Sequence, residues 1–188
     1  AIMIYRDCEI SWLTGARVHI AHISSKRGMQ IVEWFKSQGA NVTAEVSPHH
    51  LTLTDSVMEL FDPMYKVAPP LRTHEDVEYL RDAIKRGVVD NMATDHAPHT
   101  RAEKERDMVE APFGIGNIEV TFPLLYTELV NKNVIDLQTL LALLQTGPAK
   151  VMKWDAPSLQ VGKPADVTVL DLQNPRDVNP ASFKSKAK

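Results

Sequence analysis

One cysteine, Cys8, is present in 188 residues. It excludes an internal disulfide framework and fits a reducing, cytoplasmic location. No apolar run approaches the roughly 20 residues needed to span a bilayer, so no membrane partner is expected, and no signal peptide is evident. Lys+Arg 21 against Asp+Glu 24 gives a formal net charge of -3, without a dense basic patch. Phosphate-backbone binding needs such a patch, so nucleic acid is not an expected partner. A complete phosphate-cradling Gly-x-Gly-x-x-Gly is missing, and "FGIGN" (113 to 117) has only two glycines, which weakens a nucleotide-binding reading. The Cys-x-x-Cys and His-x-x-x-His spacings of a local zinc site are absent too. Internal repeats and low-complexity tracts are also lacking.

What is there alternates. "AIMIYRDCEISWLTGAR" reads as a helix stopping at Gly15, a C-terminal signal that needs no capping side chain. It begins without an initiator Met, and "SFKSKAK" ends without a closing element, so both ends are expected to be cuts in a longer chain. "ARVHIAHIS" (16 to 24), "NVTAEVS" (41 to 47) and "VVDNMAT" (88 to 94) are short β-branched runs expected to be buried strands. Between them, 26 to 38 and 74 to 87 place apolar residues at helical spacing. Ile118 to Met152 is helix-rich, and "TLLALLQ" (139 to 145) suits one face of a core helix. This βαβα order predicts an α/β protein with a parallel sheet, for which a TIM-type barrel and a doubly wound sheet both remain open. From about Ser158 the grammar changes: a Gly-Lys-Pro turn followed by alternating Val167 and Val169 predicts a hairpin in a small β module.

Chemistry-bearing residues gather after the predicted strands. Alternation puts Val18, Ile20 and His22 on one face and His19 with Ala21 on the other, leaving His22 last on a mostly apolar face. In parallel α/β proteins sites form at strand C-terminal ends, where the loops converge. His22 is therefore a candidate ligand, against the plainer role of a hydrogen-bonded core histidine. Asp95 follows the third strand in the same way. Alone it would be a turn or cap residue, but "DHAPH" (95 to 99) offers three polar groups where a turn needs one, with Pro98 fixing the backbone between His96 and His99. "SPHHL" (47 to 51) adds His49 and His50, whose adjacent side chains diverge and suit loop packing better than joint binding of one ion. The scattered methionines suit core filling.

"HIAHISS", "TAEVSPHHLTL", "YKVAPPLR", "ATDHAPHTRAEKE", "APFGIGNIEVTFPLLYTELV" and "GKPADVTVLDL", in that order, resemble the second half of class I dihydroorotases of the amidohydrolase superfamily. The likeness covers nearly the whole chain. It implies the second half of a metal-dependent (β/α)8 TIM-type barrel over residues 1–157, with part of a small β-sandwich module over 158–188. It further implies reversible cyclisation of N-carbamoyl-L-aspartate to dihydroorotate in pyrimidine synthesis, with one or two zinc ions. By the resemblance His22 and Asp95 are metal ligands, and Asp95 is also the catalytic proton shuttle. His99 contacts substrate, the Phe113–Gly114 backbone closes over the substrate ring, and His96 is structural. In the implied reaction an activated hydroxide attacks the ring amide carbonyl, and Asp95 moves its proton to the leaving nitrogen. Ala68 stands where many members carry a substrate-binding Asn. The family's His-x-His pair, its remaining metal ligands and its substrate-carboxylate residues lie upstream of Ala1, so the expected partner is the upstream half of the same enzyme. The 188 residues alone are expected to be inactive. A homo-oligomer is expected. The alternatives are a related cyclic amidase such as a hydantoinase or allantoinase, and a non-catalytic assembly partner of aspartate carbamoyltransferase.

Overall fold

A computed structural model describes residues 1–185. Three parallel strands form its sheet in the order β1 (Val18–Ile20), β2 (Val42–Val46), β3 (Asn91–Met92). Val18 pairs with Val42, Ile20 with Ala44, Glu45 with Asn91 and Val46 with Met92. All three strands are shorter than the apolar runs suggest, because regular pairing stops where the chain turns into loops. The ladder nevertheless reaches further: Asp90 N–H donates to Ala44 O at 2.9 Å and Ala93 N–H to Val46 O at 3.1 Å.

Before β1, helix α1 (Ile2–Thr14) ends at Gly15, whose left-handed φ of 73° lets its N–H reach Ser11 O at 2.8 Å. Helix α2 (Lys26–Ser37) links β1 to β2. Ser25 caps it by accepting from Gly28 N–H, and Met29, Ile31, Val32 and Phe35 form its buried stripe. Short α3 (Pro48–Thr52) follows β2, and α4 (His74–Lys85) leads toward β3. A capping box opens α4: the Thr73 hydroxyl accepts from Asp76 N–H while the Asp76 carboxylate accepts from Thr73 N–H. Val77, Leu80, Ala83 and Ile84 are its buried face. After β3 come α5 (Arg101–Lys104), α6 (Thr121–Leu125) running into a π-helical turn, α7 (Leu137–Leu144) and α8 (Thr146–Met152). Leu140 and Leu143 of α7 are buried, as a core helix requires. Among the described residues no helix is long and apolar enough to cross a membrane.

Period-2 alternation divides the sheet. Ile20, Ala44, Val46 and Met92 join the hydrophobic core with Val32, Phe35, Leu80, Ile84, Leu140 and Leu143. The opposite face carries the paired His19 and Thr43, and Glu45 paired with Asn91. One side is apolar and covered by helices; the other is polar.

Residues 158–185 hold no strand, and the hairpin expected over 159–172 is not formed among them. The turn alone is present, with Gly162 at φ 88° and Lys163 N–H donating to Gln160 O at 3.1 Å. Val161, Val167 and Val169 are 105%, 61% and 90% exposed. Alternating valines make a strand only when one row can be buried, and here nothing among the described residues covers it. The last three residues of the expected 158–188 module lie outside the described residues.

Two features give direct tests. Gly147 brings α8 against β3 so closely that a Cβ there would stand 2.2 Å from Asp90 O and 3.1 Å from Ala142 O. Gly147→Ala should cost about 1–3 kcal/mol or more, as overpacking against backbone does; an unchanged denaturant midpoint would refute this packing. His49 on α3 is 3% exposed. Burial first, then the His50 and His22 rings, push it from 6.5 down to about 3. The folded protein thus keeps the ring neutral, while the unfolded chain takes up a proton below the ordinary value. Stability should therefore fall on acidification from about pH 6.5 toward 3, by up to about 1.4 kcal/mol per pH unit from this group. His49→Gln should flatten that slope by about one proton in denaturation series between pH 7 and 4, and an identical slope in both proteins would show that His49 titrates normally.

Candidate active site

The site is built on the polar face, where the loops leave the C-terminal ends of the strands. At its base is Glu45, only 6% exposed. Its Oε2 accepts from Asn91 Nδ2 at 2.9 Å and meets His19 Nε2 at 3.1 Å, while its Oε1 lies 2.9 Å from His22 Nδ1. His19 Nδ1 is 2.8 Å from Thr43 Oγ1. Burial alone would raise the Glu45 carboxyl, but the bonds from His19, His22 and Asn91 prevail and hold it well below the usual carboxylate range. Glu45 and Asn91 are not among the candidates read from the sequence. Their signal was the same alternation, since an acid and an amide share a face of paired strands and an unpaired charge is not buried there.

His22 departs from the expected geometry. Strict alternation would place it with Val18 and Ile20, facing the helices. Regular pairing ends at Ile20, and His22 adopts φ 54°, a left-handed conformation uncommon outside glycine. That turn carries the imidazole to the Glu45 side, with Nε2 directed to Asp95 Oδ1 at 3.6 Å. Asp95 is also left-handed, at φ 49°. Two such residues facing one another are the kind of local strain that concentrates at functional sites. The Glu45 bond raises the His22 pKa, burial opposes it, and the charges of Asp95 and Glu45 add to the rise.

The pair fits a shared metal ion in two respects. Two donors at about 2.0–2.1 Å from a tetrahedral zinc stand roughly 3.3 Å apart, close to the 3.6 Å seen here. The Nδ1 contact to Glu45 also leaves Nε2 as the ligating atom, which is how a carboxylate behind a histidine fixes its tautomer. Among the described residues no group of three His, Cys, Asp or Glu is gathered for a metal, and His22 and Asp95 offer two donors.

The other candidates cluster beside the DHAPH segment. His99 Nε2 donates to Phe113 O at 3.0 Å, and Gly114 N–H donates to Lys66 O at 2.9 Å. The backbone groups expected to meet a substrate are thus already bonded within the protein. His99, Lys104 and Gly114 line a cleft of about 210 Å³, which His22 and Asp95 do not line. A larger concavity of about 610 Å³, between Phe122, Tyr126 and residues 169–183, contains none of the candidates. Ala68 is exposed and has no side-chain amide to offer. His96 accepts at Nδ1 from the N–H groups of Asn117 and Ile118, at 3.0 and 3.2 Å. His49 and His50 are buried with ring centroids 4.3 Å apart, and His50 Nε2 donates to Pro69 O at 2.9 Å. Neither reaches toward the His22–Asp95 pair through any of these bonds.

The chain is 54% identical over 188 residues to a dihydroorotase of Deinococcus radiodurans, covering 100% of this chain and 45% of that protein. It is 49% identical over 172 residues to a dihydroorotase of Thermus aquaticus, covering 92% and 40%. Among solved structures it is similar to an L-hydantoinase (dihydropyrimidinase) from Arthrobacter aurescens, with a TM-score of 0.90, 30% identity, and 97% of this chain against 42% of that one. A D-hydantoinase (dihydropyrimidinase) from a Thermus species gives a TM-score of 0.74 and 27% identity, covering 79% and 34%. The chain therefore spans less than half the length of these relatives. The amidohydrolase family model matches residues 10–188. With strand-end His22 and Asp95 facing one another above a buried carboxylate, the chain belongs to the amidohydrolase family.

Proposed function

We propose that this chain forms part of a zinc-dependent dihydroorotase that interconverts N-carbamoyl-L-aspartate and dihydroorotate. Residues 1–157 supply the second half of its (β/α)8 barrel, and 158–188 supply part of a small β module. The observation that carries the reading is the approach of His22 Nε2 to Asp95 Oδ1 at 3.6 Å, in a chain 54% identical to a dihydroorotase. Hydantoinase activity is the second reading, favoured by the TM-score of 0.90 but carried by only 30% identity.

A zinc ion held by His22, Asp95 and ligands from the rest of the protein would supply a Lewis acid and lower the pKa of water. This chain's residues supply the remainder. Glu45 holds the His22 ring so that Nε2 faces the reacting side. Asp95, half-buried at the strand end, takes the proton of the attacking water and returns it to the ring nitrogen as the amide bond opens, and in cyclisation the same carboxylate works in reverse. His99 and the Phe113–Gly114 backbone, joined to one another by the His99 Nε2–Phe113 O bond, would contact the substrate ring from the loop that also carries Asp95, and binding would exchange their internal hydrogen bonds for contacts to the ligand.

In the whole protein, Asp95→Ala should lower kcat for dihydroorotate ring opening by about 10²-fold or more, the usual effect of losing a general acid/base group, with circular dichroism unchanged. Retention of more than about a tenth of kcat with normal zinc content would remove Asp95 from this role. Wild-type kcat/KM measured in parallel on dihydroorotate and on hydantoin separates the two readings.

A further inference from the structure

Lys104 is a buried cation that the proposed reaction does not use. It ends the one-turn helix α5, which Thr100 opens with a capping box to Glu103, and it is 5% exposed. Its ammonium donates to three backbone carbonyls, Pro112 O and Gly114 O at 3.1 Å and Lys66 O at 3.4 Å. Burial disfavours its charge, the neighbouring Lys66 ammonium adds to that, and Asp62 offsets them in part. Burying an ammonium against neutral acceptors is costly, so the carbonyls it gathers indicate its purpose. Two of them belong to the segment carrying Phe113 and Gly114, and the third, Lys66 O, also accepts from Gly114 N–H.

A second ammonium grips the same segment. Lys66 Nζ donates to Val109 O at 3.0 Å and Ala111 O at 2.6 Å, and lies 4.5 Å from the Phe113 ring centroid. Gly114 completes the contact: at φ 147° it passes so close to the DHAPH segment that a Cβ would lie 2.5 Å from Ala97 O. Ala97 N–H donates to Ile115 O at 3.1 Å, and His99 donates to Phe113 O. Residues 109–115 are thereby fixed to the strand-end loop that carries Asp95 and His99.

We propose that Lys104 is a positioning residue for substrate binding, whose ammonium, seconded by Lys66, gathers the carbonyls of residues 66, 112 and 114 and holds the Phe113–Gly114 segment at His99. The ligand would be a cyclic amide; this part of the inference rests on the dihydroorotase reading, while the clamp itself does not. Shortening or neutralising the clamp loosens the ligand's wall and leaves His22, Glu45 and Asp95 in place.

The test uses the whole protein with Lys104→Met, Lys104→Arg and Lys66→Met. For Lys104→Met, KM for dihydroorotate should rise about tenfold or more while kcat and bound zinc stay within about twofold. Amide hydrogen exchange across 109–116 should accelerate about tenfold, with peptides of β1 to β3 unchanged. Lys104→Arg should recover most of both effects. An unchanged KM with unchanged exchange in 109–116 overturns the proposal, as does a joint fall of kcat, zinc content and KM-dependent rate that marks a general folding defect in every variant. If Lys104→Met does not fold, Lys66→Met decides: a several-fold rise in KM with faster exchange supports the clamp, and wild-type values overturn it. If wild-type protein fails to open dihydroorotate, the functional reading fails, and hydrogen exchange still judges the clamp.

Discussion

Glu45 is a carboxylate placed next to the C-terminal end of a buried strand, and the polar side of the sheet is arranged around it. His19, His22 and Asn91 all direct nitrogen atoms at its two oxygens. Such a charge is tolerable only while these partners remain, because removing one member of a buried ionic set typically costs about 3–5 kcal/mol. The constraint runs in both directions. Glu45 needs its donors, and in satisfying it β1, β2 and β3 are held in the register that sets His22 and Asp95 opposite one another.

The same constraint accounts for the backbone of both residues. A histidine continuing the strand would face the helices and the apolar core. At φ 54° His22 instead reaches Glu45, and the cost of a left-handed non-glycine residue, of order 1–3 kcal/mol, is offset by a charge-assisted hydrogen bond. Asp95, in the loop after β3, is left-handed too, at φ 49°, and brings Oδ1 to 3.6 Å from His22 Nε2. Geometry and electrostatics therefore coincide: a ring with one nitrogen committed to a carboxylate presents the other toward a second carboxylate. A cation between them would complete that arrangement.

A second network, made of ammonium groups and carbonyls, adjoins the first. Lys104 and Lys66 hold residues 109–114 through main-chain oxygens, so the hold does not depend on the side chains of that segment beyond Phe113. The two networks share the DHAPH segment, which carries Asp95 on one side and His99 on the other. This explains how one short stretch serves both: Asp95 turns toward the sheet end, His96 secures the backbone of Asn117 and Ile118, and His99 reaches Phe113.

Local pattern was enough to read much of this. Strand and helix positions, the Gly15 stop and the buried face of α4 follow from hydrophobic period and from residues whose conformational preferences act over one turn. The candidacy of His22 and Asp95 followed from their place after apolar runs and from a likeness to a known family. Contacts between distant residues lay beyond pattern. The face that His22 presents depends on Glu45, 23 positions away in sequence, outweighing strand alternation. Lys104 looks like a surface lysine until residues 66 and 112–114 are seen folded over it. In 159–172 the alternation was real and the turn formed, yet no strand follows among the described residues, because a strand also needs a surface to bury against. The sequence by itself determined which segments are apolar and where they turn, since those are properties of neighbouring residues. Only the tertiary structure decided which polar groups meet, since a buried charge selects its partners from whatever the packed fold brings within hydrogen-bonding distance.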